Sequence, residues 1–236
     1  MNLEIRGLHK NFDEVSLYED FSIDFTAETI TCILGPSGCG KTTLLNIIGN
    51  IIKPDRGTLI GFDRKVISYI FQDPRLLPWK TVRENIEFAL KRDLPSDERE
   101  QLTRRFIKLV ELEGFENYYP SKLSGGMRQR VSIARAFVYP SDIVLMDEPF
   151  KGLDIKLKLN LIQTFSRIWQ ADKRTVIFVT HDVDEALLLG NEIVVLTQPP
   201  VRIAANEKVK VPIATRSLDS GYLKELKQIL LNALGN

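Results

Sequence analysis

Cysteine is nearly missing from this chain of 236 residues: Cys32 and Cys39, close together, are the only two. So sparse a set excludes a disulfide framework and reads as two reduced thiols of a cytosolic enzyme, with Cys39 filling a small loop position. Long apolar runs are missing as well. Ile143 to Met146 and Val176 to Val179 are among the longest, far short of the roughly 20 residues that span a bilayer. The opening Met-Asn-Leu-Glu-Ile-Arg lacks the charged-then-apolar plan of a secretion signal, so any work at a membrane is expected to run through a partner. Excess charge is absent too: 32 Lys plus Arg against 31 Asp plus Glu give a formal net charge of +1. That excludes the basic footprint that dominates affinity for a nucleic-acid backbone. What remains, 44% hydrophobic and 27% charged, without internal repeat or low-complexity linker, suits one α/β core with an attached subdomain.

Short β-rich stretches at 2–6 and 21–33 predict antiparallel strands leading into a central strand, Ile30 to Leu34. A helix is expected from Lys41 to about Ile52, closed by Pro54, Asp55 and Gly57. Between 81 and 140 the period turns helical. Val82, Ile86 and Leu90 mark one face, Leu102, Phe106, Leu109 and Val110 a second with Ser96 as its cap, and a third helix runs from Ser124 to Tyr139. Strand signals return at 143–146, 175–180 and 192–197, with helices at 155–170 and 182–189 between them. The tail adds a strand-like piece, Lys208 to Val211, and a helix from Leu223 to Leu234. Fully apolar strands alternating with helices predict a mostly parallel sheet covered on both faces. The expected division is a core of 1–80 and 141–236 and an inserted helical subdomain of 81–140.

Gly35-Pro36-Ser37-Gly38-Cys39-Gly40-Lys41-Thr42 fits G-x-x-x-x-G-K-Ser/Thr between a predicted strand and a helix. Glycines turn successive N–H groups toward a β-phosphate, Lys41 spans β and γ oxygens, and the Thr42 hydroxyl ligates Mg²⁺. Ile143 to Met146 ends in Asp147-Glu148. Such a pair is usually a strand end meeting solvent; beside a phosphate loop, Asp147 reads as the holder of the metal's water shell and Glu148 as the base that polarises an attacking water. His181 follows the strand 175–180, where ligands of open α/β sheets collect, with Asp182 as a helix cap. Gln72 opens a loop whose Leu76, Leu77 and Trp79 are expected to be exposed to a partner, its amide sensing Mg²⁺ or water.

Ser121 to Arg130, Ser-Lys-Leu-Ser-Gly-Gly-Met-Arg-Gln-Arg, places amides and the Ser124 hydroxyl at a helix start that the phosphate loop does not need. The spare clamp suits a phosphate held by another molecule, so two copies head to tail would complete each other. Arg128, Arg130 and Arg135 read as a solvated helix face.

These segments, with Phe71-Gln72, Met146-Asp147-Glu148-Pro149, Gly152-Leu153-Asp154 and Thr180-His181-Asp182, resemble in order and spacing the nucleotide-binding subunits of ABC transporters. The resemblance implies a P-loop NTPase fold, a RecA-like mostly parallel sheet with an antiparallel β-subdomain and an inserted α-helical subdomain. It assigns adenine stacking to Phe12, phosphate and Mg²⁺ contacts to the loop Gly35 to Thr42 and to Thr43, and catalysis to Gln72, Glu148 and His181. Metal contacts fall to Thr42, Gln72 and Asp147. Ser124, Gly125 and Gly126 become the signature groups that close on the other subunit's ATP, and Asp154 the residue that crosses the interface. Met127 stands where Gln is common, and Lys151-Gly152 replace a commonly small pair.

The loop from Gln72 to Trp79 and Thr81 to Ile86 resembles importers of the nitrate, sulfonate and taurine type. The implied system is a peripheral ATPase on the cytoplasmic side of the membrane, a homodimer using ATP and Mg²⁺, with transmembrane permease subunits and an extracytoplasmic solute-binding protein, and no nucleic acid. A non-transport ABC ATPase of nucleic-acid repair or translation is the rival; such proteins carry coiled-coil inserts or paired cassettes, which this sequence lacks. A small-molecule kinase leaves Leu123 to Gly126 and His181 unexplained.

Overall fold

The computed structural model describes residues 3–90 and 94–235. β1 (Leu3–Phe12) and β2 (Val15–Phe25) form a hairpin, β3 (Ile30–Leu34) leads into α1 (Lys41–Ile48), and β4 (Arg56–Ile60) and β5 (Ile67–Ile70) follow. Three helices come next: α2 (Val82–Glu87), α3 (Ser96–Leu109) and α4 (Gly125–Val138). The remainder alternates, with β6 (Ile143–Asp147), α5 (Ile155–Ala171), β7 (Thr175–Thr180), α6 (Val183–Leu189) and β8 (Glu192–Leu196), then β9 (Ile203–Lys208) and α7 (Gly221–Leu234).

The larger sheet has the order β5-β6-β7-β3-β8-β9. Its first five strands are parallel and β9 returns antiparallel. Strands β3, β6, β7 and β8 are buried throughout, and their alternation feeds two cores. Cys32, Val144, Met146, Val176, Phe178 and Val195 face a core shared with α4 and α5, whereas Ile33, Leu145, Ile177, Val179 and Val194 face one shared with α1 and the smaller sheet. A strand buried on both faces has no polar side to betray its period, hence the unbroken apolar runs. The smaller sheet, β2-β1-β4, is antiparallel, and among the described residues no helix is long and apolar enough to cross a membrane.

Several boundaries differ from expectation. α1 stops at Ile48 because Gly49 takes its C-cap and Asn50 turns left-handed at φ 55. Asp55 instead anchors the following loop to β1, accepting from Lys10 Nζ at 2.8 Å and from the Asn11 amide at 2.7 Å. β1 runs on to Phe12 through register shifts that blur its alternation. β4 was not foreseen; Gly57, at φ 106, lies so near Gly7 that a Cβ would meet its carbonyl oxygen at 2.7 Å. Pro95, not Ser96, occupies the N-cap of α3, and no side chain caps it. In the tail the strand is Ile203–Lys208 rather than 208–211; as a mostly exposed edge strand it carries little apolar signal. Residue 2 of the first expected strand lies outside the described residues.

The loop after Gln72 is fastened rather than free. Asn85 on α2, fully buried, accepts from the Leu77 amide at 2.9 Å and donates to the carbonyls of Leu77, Lys80 and Thr81 at 3.2, 2.9 and 2.9 Å. Arg135 on α4 donates to the Pro74 and Arg75 carbonyls at 2.9 and 3.0 Å. Arg130, on the same helix and 9% exposed, bonds Val110, Glu111 and Asn160. These arginines are therefore structural ties, not a solvated face: each guanidinium fork satisfies loop carbonyls that no strand or helix pairs. Of the three apolar residues expected to be exposed, Leu76 and Leu77 are half-buried and Trp79 is 69% exposed. Replacing Asn85 by Ala orphans two part-buried backbone groups, the Leu77 amide and the Lys80 carbonyl, since the Leu77 and Thr81 carbonyls still accept from the Lys80 and Asn85 amides. Denaturant unfolding of N85A should register a loss of about 1–3 kcal/mol, with faster hydrogen exchange at the Leu77 amide; an unchanged midpoint would show that the loop holds itself.

Candidate functional site

At the carboxyl end of β3 the chain turns through Gly38 and Gly40, both left-handed at φ 80 and 94, before entering α1. Gly40 is the N-cap and no side chain caps the helix, so the first amides of α1 are left to an external acceptor, and a helix N-terminus favours an anion. Gly35 permits close packing against β8: a Cβ there would meet Cys39 Sγ at 2.7 Å and the Leu196 carbonyl oxygen at 3.2 Å. The Lys41 ammonium, buried, donates to the Gly35 and Pro36 carbonyls at 2.7 and 2.8 Å and lies 3.8 Å from Cys39 Sγ. Burial pushes the Cys39 thiol up despite that ammonium. Tyr18, fully buried on β2, donates to the Gly40 carbonyl at 3.0 Å and so braces the loop from the smaller sheet.

Around this loop lies a cavity of about 470 Å³ lined by Phe12, Val15, Leu17, Ser37, Gly38, Gly40, Lys41, Thr42, Thr43, Gln72, Glu148, Lys151 and Pro199. Phe12, 44% exposed at the tip of the β1–β2 hairpin, offers a ring face, with Lys10 Nζ 5.3 Å from its centroid. A slightly larger cleft of about 580 Å³ opens at the opposite, N-terminal ends of β6 and β7. It holds none of the motif residues.

The two carboxylates end β6. Asp147 is buried and accepts from the Thr42 hydroxyl at 3.0 Å; burial raises its carboxyl above the ordinary range, only partly offset by that hydroxyl. A hydroxyl and a carboxylate oxygen in contact are the hard oxygen donors that Mg²⁺ accepts alongside phosphate oxygens and water. Among the described residues no group of three His, Cys, Asp or Glu forms a metal cage. Glu148 turns left-handed at φ 42. Its Oε2 lies 2.6 Å from Lys151 Nζ and its Oε1 3.4 Å from His181 Nδ1. Burial raises the Glu148 carboxyl, but Lys151 and His181 outweigh it and hold the group below its usual value.

His181 stands outside the cavity lining yet reaches Glu148. Its loop is secured by Asp182, which caps α6 by accepting from the Asp184 and Glu185 amides at 2.9 and 3.3 Å. Lys158 of α5 bonds Asp182 at 2.6 Å and the buried Glu185 at 2.9 Å, and Glu185 accepts from the Thr180 hydroxyl at 2.6 Å. Burial pushes the Glu185 carboxyl up against these partners.

The signature residues are elsewhere. Ser124 caps α4, its hydroxyl accepting from the Met127 amide at 3.3 Å, and neither it, Gly125 nor Gly126 lines the cavity. Ser124 and Gly125 are exposed; Gly126 is buried, with Leu157 where a Cβ would sit, at 2.5 Å. Asp154 caps α5 by accepting from the Leu157 amide at 3.0 Å and is likewise exposed and outside the cavity. Thus Phe12, Ser37, Gly38, Gly40, Lys41, Thr42, Thr43, Gln72 and Glu148 converge directly, Asp147 and His181 join through one contact each, and the α4 cap and Asp154 do not. Tyr18, Lys151 and Lys158 were not foreseen as site residues. Tyr18 would have been found had β2 been read back to Val15.

The family model for ABC transporters matches residues 18–151. An uncharacterized ABC transporter ATP-binding protein of Methanocaldococcus jannaschii is 40% identical over 98% of this chain and 90% of its own length. An aliphatic sulfonates import ATP-binding protein of Bacillus cereus is 36% identical over 98% and 95%, and a taurine import ATP-binding protein of Roseobacter denitrificans 35% over 96% and 86%. Among solved structures, a bacterial ABC transporter cassette in dimeric form superposes with a TM-score of 0.76 at 30% identity, covering 89% of this chain and all of that one. The phosphate loop on α1, the carboxylates on β6 and the capped α4 set apart from both lie on a chain that belongs to the ABC transporter family.

Proposed function

We propose that this chain is the ATP-hydrolysing subunit of a membrane importer, closing as a homodimer around two ATP molecules. The observation that carries this reading is the separation of two phosphate-directed groups on one chain. The cavity around Lys41 has a cradle and a carboxylate at Glu148, while Ser124 and Gly125 offer an exposed helix start outside that cavity. A second copy placed head to tail brings its α4 start to this cavity, so each nucleotide is held by both chains. The relatives named for import and the dimeric cassette support the same assembly.

In this reading Phe12 stacks on the adenine, the loop amides from Gly35 to Thr43 bind the phosphates, and Lys41 turns from loop carbonyls to β and γ oxygens. Thr42, Asp147 and Gln72 would hold Mg²⁺, which would supply positive charge against the phosphate oxygens. Glu148 takes the proton of the attacking water, and His181, 3.4 Å from it, contacts the γ-phosphate. Asp154 crosses to the partner. The triphosphate favours closure because only that state gains the Ser124 contacts, and loss of the γ-phosphate reverses it. Phe88, 61% exposed, lines a cavity of about 540 Å³ with Lys80, Glu84, Leu90 and Tyr139, and Trp79, just before Lys80 in the chain, is 69% exposed. This face, on the fastened loop and α2, meets the permease at the cytoplasmic side of the membrane. Sulfonates, taurine or similar small anions such as nitrate are the cargo class, delivered by an extracytoplasmic solute-binding protein.

Two variants test the reading. E148Q should bind ATP normally while turnover falls by about 10²–10⁴-fold, the usual worth of a general base; near-normal turnover removes Glu148 from the role. S124R should leave nucleotide binding to the monomer intact but abolish ATP-driven dimerisation, scored by light scattering in an E148Q background. Persistent dimers there would defeat the head-to-tail arrangement.

A further inference from the structure

Lys151 has no part in the scheme above, yet it lines the nucleotide cavity. Its placement follows from the turn after β6. The Lys151 amide donates to the Glu148 carbonyl at 3.2 Å, Glu148 and Gly152 are both left-handed at φ 42 and 75, and the tight curl sets the two side chains three positions apart face to face. Lys151 Nζ then lies 2.6 Å from Glu148 Oε2, with the lysine side chain 44% exposed and the glutamate only 12%. The cavity thus has two cations of different kinds. Lys41 is buried and bonded to loop carbonyls, whereas Lys151 is a long, partly solvated side chain whose partner is the carboxylate itself.

The arrangement answers an electrostatic problem. A carboxylate poised to activate water at the γ-phosphate must tolerate an approaching triphosphate of the same sign, and like charges repel strongly where water is largely excluded. A diphosphate, lacking the γ group, meets far less of that repulsion. We propose that Lys151 is a further residue of the nucleotide site, a charge-compensating partner that cancels the repulsion between Glu148 and the γ-phosphate and so sets the affinity for triphosphate over diphosphate. It acts through Glu148, as a positioning residue, and rests on the reading that Glu148 faces the γ-phosphate.

A thermodynamic cycle on binding decides the matter, with a non-hydrolysable ATP analogue and ADP titrated calorimetrically onto the purified chain with Mg²⁺. K151Q should weaken analogue binding about five- to tenfold and change ADP binding less than twofold, while K151R stays close to the parent. In the E148Q background, where no carboxylate holds the half-exposed lysine in the cavity, K151Q should have almost no effect on the analogue. This non-additivity is the signature of coupling between contacting residues. Equal weakening in both backgrounds, or no weakening in either, overturns the proposal; so does equal weakening of analogue and ADP. Matching thermal unfolding midpoints establish that the variants are folded. The turnover of E148Q is read separately, so a failure of Glu148 as the base is distinguishable from a failure of Lys151 as its partner.

Discussion

The constraint on which the site depends is the parallel register of three neighbouring strands. Leu34 at the end of β3 pairs with Thr180 at the end of β7, and Asp147 at the end of β6 pairs with Val179. Parallel strands in register finish at one edge of the sheet, so the phosphate loop, the carboxylates and His181 emerge together although nearly 150 positions separate the first from the last. Hydrogen bonds along these strands, buried on both faces, are costly to break. The edge is therefore rigid, and the Thr42–Asp147 bond at 3.0 Å closes it across α1 and β6.

Against that fixed edge the other elements are tied by polar contacts of limited number. Arg135 and Asn85 secure the loop after Gln72 to α4 and α2. Lys158 joins the start of α5, four residues after Asp154, to the loop that presents His181. The exposed start of α5 and His181 thereby share one anchor. Both ties connect an exposed element to a residue at or beside the nucleotide cavity, so the proposed coupling of dimer contact to the site has a physical route.

The phosphate loop, the β6 carboxylates, His181 with its Asp182 cap and the Ser124 cap were legible because each is a local pattern whose chemistry resides in consecutive residues. The strands β3, β6, β7 and β8 were legible for a similar reason, being continuous apolar runs. β4 and β9 were not, since exposed edge strands bury little and leave no alternation to read. Arg130 and Arg135 were misread as solvated because a guanidinium at helical spacing looks the same whether it faces water or a loop carbonyl from 20 or 60 positions away.

By itself, the order of residues indicated the kind of chemistry: a glycine loop of the type that cradles phosphate, a hydroxyl and carboxylates suited to a metal and a water, and a helix start with a hydroxyl apart from that loop. Only the folded chain decided which groups meet. It aimed Tyr18 at the Gly40 carbonyl, curled Lys151 onto Glu148 and kept Ser124 away from the cavity. Local motifs follow from steric and hydrogen-bonding rules within a few residues, whereas pairings across the chain depend on strand register and the side chains that two cores leave room for.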